Sequence, residues 1–138
     1  MNLDVLNTTW KCAVDACLAV VNLPGARELI VDSNFARLAE QNLTVRIKAG
    51  MRNGLTTFIA RNATNHDLII VPNADALRYL QRALLPKATV LPVSMIKGGM
   101  PTYKRIWVDC ASILPSSDIR AIYQATARNV EQRWFLLG

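Results

Sequence analysis

Apolar positions follow helical spacing in the first part of the chain. Residues 10–21 are apolar on nearly every face, with Lys11 and Asp15 as the charged exceptions. Such a segment is typical of a helix that is buried or packs against a partner, and the two threonines just before it are candidates to cap it. A second helical repeat of apolar residues predicts a helix over about residues 26–41. We therefore expect an N-terminal pair of helices over residues 1–42.

After this pair, the chain alternates between strand-like and helix-like segments. Apolar and polar residues alternate over 43–48, which predicts a strand with two cations on one side. The segments that follow are a helix over 55–63, a strand over 68–71, a helix over 74–85, a strand over 89–96, a loop over 97–103, a strand over 105–111, a helix over 116–127 and a strand over 132–137. Pro92 puts its strand at an edge of the sheet or at a bulge. Because strands and helices alternate as in βαβ units, we expect one α/β domain over residues 1–138, with a mostly parallel sheet covered by helices in a core at 43–138.

Composition narrows the class of protein. The chain has 138 residues, of which 51% are hydrophobic and 19% are charged, a balance that indicates a folded domain rather than a disordered chain. No apolar run reaches the roughly 18 residues that a membrane span needs, and the N-terminus lacks the basic and apolar regions of a secretory signal. Three cysteines are too few for a disulfide framework and fit a reducing compartment. We therefore expect a cytoplasmic protein with no membrane association.

Positive charge is concentrated in the middle of the chain. The formal net charge is +6, and residues 41–107 carry ten basic and two acidic side chains. A segment with this excess attracts polyanions and accelerates encounters with them. The alternative is an ordinary basic surface that contacts only solvent.

Cations and aromatic rings are mixed within residues 97–107. Lys97, Tyr103, Lys104 and Arg105 lie there together with two glycines and Trp107. On a single nucleic-acid strand, rings stack on bases while lysine and arginine follow the phosphates. Trp107 alternates with apolar neighbours, so it either stacks on a base or belongs to the core. Further cations that we expect to contact the strand are Arg46, Lys48, Arg52, Arg78, Arg82 and Lys87.

A glycine-bearing turn, AGMRNGLT at residues 49–56, follows one predicted strand and precedes a helix. It resembles the phosphate-binding loop of the P-loop NTPases, whose motif is (G/A)xxxxGK(S/T), with Leu55 at the position of the lysine. RIWVDCA, at residues 105–111, resembles the second motif of that family, an apolar strand that ends in an aspartate. In the family, the loop N–H groups and the lysine hold phosphate, and the hydroxyl and the aspartate serve Mg²⁺. The resemblance implies a P-loop-like core with a vestigial phosphate loop formed by Ala49, Gly50, Gly54, Thr56 and Asp109.

The chain departs from this family at positions that carry its chemistry. A leucine at position 55 cannot make the charge-assisted contact of an ammonium group with phosphate, and Cys110 stands where many NTPases have a catalytic glutamate. We therefore expect a protein that is not an enzyme and that uses no cofactor or metal. His66, the single histidine, has no cluster of cysteines or carboxylates near it along the chain. The alternative is a P-loop NTPase or small nucleotide kinase that binds Mg–ATP through Thr56 and Asp109.

Small size and basic charge are shared with a further group of proteins. The chain is similar in these respects to the single-stranded-DNA-binding RNA polymerase cofactors of short-tailed phages, the Drc type. This resemblance implies a bacteriophage protein of the host cytoplasm that coats single-stranded promoter DNA and recruits a phage RNA polymerase. Together with the charge pattern, it predicts a non-enzymatic single-stranded-DNA-binding protein, a transcription or replication accessory factor with loose sequence preference.

The apolar first helix leaves one more interpretation open. In this interpretation the protein is an interaction module with no nucleic-acid role, and residues 10–21 contact a partner. That contact is either a homo-oligomer formed through this helix or a contact with a polymerase.

Overall fold

The computed structural model describes residues 2–22, 34–49 and 53–138. The helices are α1 (Leu3–Val21), α2 (Phe35–Asn42), α3 (Leu55–Asn62), α4 (Ala74–Tyr79) and α5 (Ser116–Thr126), and the strands are β1 (Thr44–Ile47), β2 (Leu68–Val71), β3 (Thr89–Pro92), β4 (Arg105–Asp109) and β5 (Arg133–Leu137). All pairings between these strands are parallel, and their order in the sheet is β1-β5-β4-β2-β3. The predicted α/β fold with a parallel sheet covered by helices is therefore confirmed.

α1 begins earlier than the sequence pattern predicts. The Asn2 side chain accepts hydrogen bonds from the backbone N–H groups of Asp4 and Val5, at 3.0 and 3.3 Å, and it is therefore the residue that caps the helix. Thr8 and Thr9 lie inside the helix, where their hydroxyls donate to backbone carbonyls four residues earlier. The prediction that one of these threonines caps the helix is wrong, because an effective cap lies upstream of the apolar segment.

Both faces of the sheet are buried. α1, α3 and α4 cover one face, and the strand residues of this first core include Val45, Ile69, Val71, Trp107 and Phe135. α2 and α5 cover the other face, and the strand residues of this second core include Leu68, Ile70, Ile106, Val108 and Trp134. Successive side chains of a strand point to opposite faces. A strand covered on both sides is therefore apolar at every position, as β2 is with the sequence LIIV.

Trp107 belongs to the first core. Its side chain is 2% exposed, and its ring stacks on that of Phe135 with centroids 4.2 Å apart. Of the two alternatives that the sequence leaves open for this residue, the core is therefore correct, and the ring is not available to stack on a base.

The apolar side of α1 is used within the molecule. Val14 is buried, and Trp10, Cys17 and Leu18 pack against the first core. Val20 remains exposed on the outer side of the helix. Packing against the sheet accounts for most of the apolar character of this segment, and self-association through it stays a prediction. Among the described residues, no helix combines the length and the apolar character that crossing a bilayer requires.

The outer strand and its connection follow the turn chemistry of the sequence. β3 lies at the edge of the sheet, as Pro92 indicates, and ends at that proline, where a short 3-10 turn (Val93–Met95) replaces the predicted end of the strand. Residues 96–104 then run without helix or strand, and part of this segment packs against the second core. Residues 26–33 of the predicted second helix lie outside the described residues.

A buried ion pair ties β2 to β4 where these strands begin. Asp67 is fully buried, and its Oδ2 lies 3.0 Å from the Arg105 guanidinium. The same oxygen accepts hydrogen bonds from the Trp107 indole and from the backbone N–H of Thr64, at 3.2 and 2.8 Å. Because one carboxylate serves three donors, it fixes the register of the two strands and the orientation of the tryptophan.

Asp67→Ala should lower the free energy of unfolding by about 3 kcal/mol, because it leaves a partly buried guanidinium and an indole N–H without their acceptor. Asp75→Ala is the matched control, since Asp75 pairs with Arg78 on the surface of α4, where such a pair contributes about 0–1 kcal/mol. Urea unfolding followed by tryptophan fluorescence measures both values. Equal losses in the two variants would contradict a stabilising role for the buried pair.

Candidate functional site

The direction of the connections reverses between β2 and β4, which are neighbours in the sheet. After β2 the chain passes into α4, on the first core, and leads outward to β3. After β4 it passes into α5, on the second core, and leads in the other direction to β5. Two neighbouring parallel strands that send their connections to opposite faces leave a crevice at their carboxyl ends, where open α/β sheets bind ligands.

Thr56 and Asp109 meet at this edge. The Thr56 hydroxyl lies 3.1 Å from Oδ1 and 3.0 Å from Oδ2 of Asp109, and donates a hydrogen bond to the carboxylate. These two residues are 53 positions apart in the chain. They come from the start of α3 and the end of β4, and β5 separates β4 from β1, the strand that leads into the turn. Thr56 and Asp109, one from each of the two motifs, are thus adjacent although β1 and β4 are not neighbours in the sheet.

The turn before α3 is held by α1. Gly54 has a positive φ of 80°, and a Cβ at this position would lie 3.1 Å from the Leu6 side chain, so both conformation and space favour glycine. The Trp10 indole donates to the backbone carbonyl of Asn53 at 2.7 Å, and the Asn53 side chain accepts from the backbone N–H of Leu55 at 3.1 Å. The N-terminal helix therefore positions the loop.

The sequence alone does not identify the residues of α1 that contact this turn. Leu6 and Trp10 are 40 or more positions before the turn in the chain, and no motif links them to it. Asn53 stands directly before Gly54, and an Asn-Gly pair ahead of a helix is a turn signal that identifies it from sequence.

Leu55 directs its side chain into the protein. It is 3% exposed and belongs to the first core. The position that carries a phosphate-binding lysine in the P-loop motif is thus a packing position. A cavity of about 280 Å³ lies outside this turn, and its lining includes Leu3, Asn53, Thr56 and Tyr79.

Burial alters the acidity of the groups at the end of β4. Asp109 is 4% exposed, and desolvation raises its pKa above 3.8, although hydrogen bonds from Thr56 and Cys110 partly oppose this. Desolvation and the neighbouring carboxylate raise the pKa of the Cys110 thiol. A nearby cation would reverse the shift at Asp109, so this carboxylate is suited to a ligand that brings positive charge.

The basic residues predicted for a nucleic-acid strand do not form one surface. Lys48 follows β1 and lies at the carboxyl edge of the sheet, whereas Lys104 precedes β4 and lies at the amino edge. With about 3.3 Å per residue, strands of this length put the two edges roughly 15 Å apart. These two lysines, which the sequence analysis assigns to one nucleic-acid interface, are therefore separated by the length of the sheet.

Within the described residues, two of these predicted residues are engaged in ion pairs. Arg105 pairs with Asp67, and Arg78 pairs with Asp75. The predicted residues that are exposed to solvent are Arg46, Lys48, Arg78, Arg82, Lys87, Lys97 and Lys104. Tyr103 is half-buried, and Ala49 packs against the first core. Gly50 and Arg52 lie outside the described residues.

Comparisons with protein-family models, with curated proteins and with solved structures find no match for this chain. Within the described ranges, His, Cys, Asp and Glu side chains form no group of three or more that could hold a metal ion.

Asp109→Asn should raise the melting temperature at pH 7. A buried carboxyl with a raised pKa holds its proton more tightly in the folded than in the unfolded chain, so stability is lost as pH rises from 3.8 through the folded pKa. The asparagine avoids this loss and can still accept from Thr56.

Thermal unfolding from pH 3 to 8 tests this pH dependence. The advantage of Asp109→Asn should shrink as the pH falls towards 3.8. Asp15→Asn, which removes an exposed carboxylate from α1, should change stability by less than about 0.5 kcal/mol at either end of the range. A constant difference between Asp109→Asn and the natural chain would contradict the assigned cause.

Proposed function

We propose that the protein binds a nucleoside phosphate together with Mg²⁺ at the carboxyl edge of the sheet, without rapid hydrolysis. The observation that carries this proposal is the contact between the Thr56 hydroxyl and both oxygens of Asp109. It brings a hydroxyl and a carboxylate together where α3 begins and β4 ends.

The start of α3 offers hydrogen-bond donors to a phosphate group. Gly54, at the cap position of α3, has no side chain, and the Asn53 side chain engages the N–H of Leu55, the first residue of the helix. The N–H groups that follow it, with the positive end of the helix dipole, favour an anion. The phosphate would therefore lie against the turn at Gly54, outside Thr56.

The donor set fits Mg²⁺. This ion prefers hard oxygen ligands and binds through one or two protein oxygens together with substrate phosphates and water. The Thr56 hydroxyl and the Asp109 carboxylate would hold it, and its charge would neutralise phosphate where the P-loop motif has a lysine. A single carboxylate is a weak magnesium site alone, so the ion and the phosphate should bind together.

Two residues argue for binding without rapid turnover. Leu55 brings no charge to a transferring phosphoryl group, and stabilisation of that charge supplies most of the catalysis in phosphoryl transfer. Cys110, whose pKa is raised by burial, is a poor general base at neutral pH. We therefore expect a nucleotide-binding protein rather than an enzyme.

Titration calorimetry with ADP in Mg²⁺ and in EDTA tests the proposal. We expect binding in Mg²⁺, and a loss of about tenfold or more in Thr56→Val and in EDTA, because each removes a charge-assisted contact. Thr89→Val, at an exposed position on the outer strand, should bind like the natural chain. Absence of Mg²⁺-dependent ADP binding, or equal affinity in Thr56→Val, would overturn the proposal.

Single-stranded DNA binding is a second proposal, favoured by a groove at the amino edge. This groove has a volume of about 480 Å³, and its lining includes His66, Tyr103, Lys104 and Gln132. Lys104 and Lys97 are exposed and form no ion pair with the carboxylates of residues 2–22, 34–49 and 53–138. A half-exposed tyrosine beside Lys104 in this groove suits a stacked base and its phosphate. Recruitment of a phage polymerase would be a further role of this surface.

The affinity for a dodecamer of thymidine should fall with salt. About four phosphate contacts give a slope of log K against log salt near −3. Lys104→Glu should weaken binding several-fold, whereas Lys48→Glu, the same charge reversal at the opposite edge, should not. An affinity for the dodecamer that does not depend on salt would reject this proposal. A larger loss of affinity in Lys48→Glu than in Lys104→Glu would place the strand at the carboxyl edge.

A further inference from the structure

A polar groove lies on the second face of the sheet, away from Thr56 and Asp109. It has a volume of about 410 Å³ and lies between α2, β1 and α5. Arg37, Arg46 and Arg120, one from each of these elements, line it. We infer that this groove binds a phosphate group of a nucleotide or of a nucleic-acid strand, without Mg²⁺.

The groove has an excess of positive charge. Glu40 is the one carboxylate residue among its lining side chains in the described part of the chain. Arg46 donates to the backbone carbonyl of that residue rather than to its carboxylate. No carboxylate within 2–22, 34–49 or 53–138 forms an ion pair with any of the three arginines. Like charges that line one groove repel one another, and an anion bound among them relieves the repulsion.

The floor of the groove is rigid and neutral. Tyr123 lines it and is 1% exposed, and its hydroxyl lies 2.6 Å from that of Thr44, which in turn donates to the backbone carbonyl of Ala39 at 2.8 Å. Burial raises the pKa of this phenol, so the ring carries no negative charge that would compete with a ligand. Because this network ties α2 and α5 to β1, the three arginines line one groove from regular elements rather than from a loop.

Guanidinium groups select phosphate by shape as well as by charge. Each presents a planar fork of donors that matches two oxygens of a phosphate group. The carboxamides of Asn34, Gln41 and Gln124 also line the groove, and such groups can both donate and accept at a base or a sugar. The volume lies within the range of about 300–1,000 Å³ that is usual for small-ligand sites. This site is independent of both proposals above, because it shares no residue with Thr56 and Asp109 or with the amino-edge groove.

The inference is tested by two binding measurements in EDTA. One uses thymidine 5′-monophosphate, and the other uses a thymidine dodecamer that has no terminal phosphate. We expect at least one of them to bind, thymidine not to bind, and Arg120→Gln to weaken binding about tenfold or more. Arg120→Lys keeps the positive charge but loses the planar fork of donors, so its affinity should lie between those of the natural chain and Arg120→Gln. Binding of the monophosphate identifies a nucleotide as the source of the phosphate, and binding of the dodecamer alone identifies a strand.

Arg128→Gln is the matched control. Arg128 is exposed beyond the end of α5 and donates to the neighbouring carbonyl of Ala127, so its loss should change affinity by less than twofold. Binding in EDTA separates this site from the carboxyl edge, and the effect of Arg120→Gln separates it from the amino-edge groove, which Arg120 does not line. Equal losses in Arg120→Gln and Arg128→Gln, equal binding of thymidine, or no binding of either probe would overturn the inference.

Discussion

The parallel direction of the strands is the constraint on which the rest of this structure depends. Every strand of the described sheet ends at the same edge, so residues far apart in the chain meet there. Thr56 and Asp109 are adjacent for this reason. The same constraint separates cations that are close in sequence, because a residue before a strand and a residue after a strand lie at opposite edges.

Burial on both faces sets the chemistry that the edges can carry. The two cores exclude charge from the middle of the sheet, so polar groups concentrate where strands begin and end. At the amino end, Asp67 is used to hold Arg105 and Trp107, which makes this carboxylate structural. At the carboxyl end, Asp109 faces one hydroxyl at the start of α3, which leaves it able to meet a ligand.

Leu55 illustrates how packing and binding compete for one position. Its burial in the first core contributes about 1.5–3 kcal/mol to folding, whereas an ammonium group directed into the same place would lose its hydration. In the groove between α2, β1 and α5 the arginine side chains are not used for packing, because they remain at the surface. Positive charge for phosphate is therefore available on the second face, whereas position 55 brings none to the turn.

Sequence periodicity was sufficient for the fold class, because alternating strands and helices with apolar strands such as LIIV can bury two faces only in a parallel sheet covered by helices. The pairing of Thr56 with Asp109 could be predicted from the sequence, because each residue belongs to one of the two P-loop-like motifs. The groove of Arg37, Arg46 and Arg120 was not, because these residues come from three separate elements and share no local pattern. The role of Trp107 stayed open for a related reason: alternation identifies the face of a strand but not what covers that face.

Paramagnetic line broadening by Mn²⁺, used in place of Mg²⁺, measures most directly whether the carboxyl edge holds a metal and a phosphate together. With ADP present, the amide signals of Thr56, Asp109 and Cys110 should broaden first, while those of Arg120 and Lys104 stay sharp. Without ADP, the same low concentration of Mn²⁺ should leave all of them unchanged. Broadening at Lys104 or Arg120 with none at Thr56 would contradict the account.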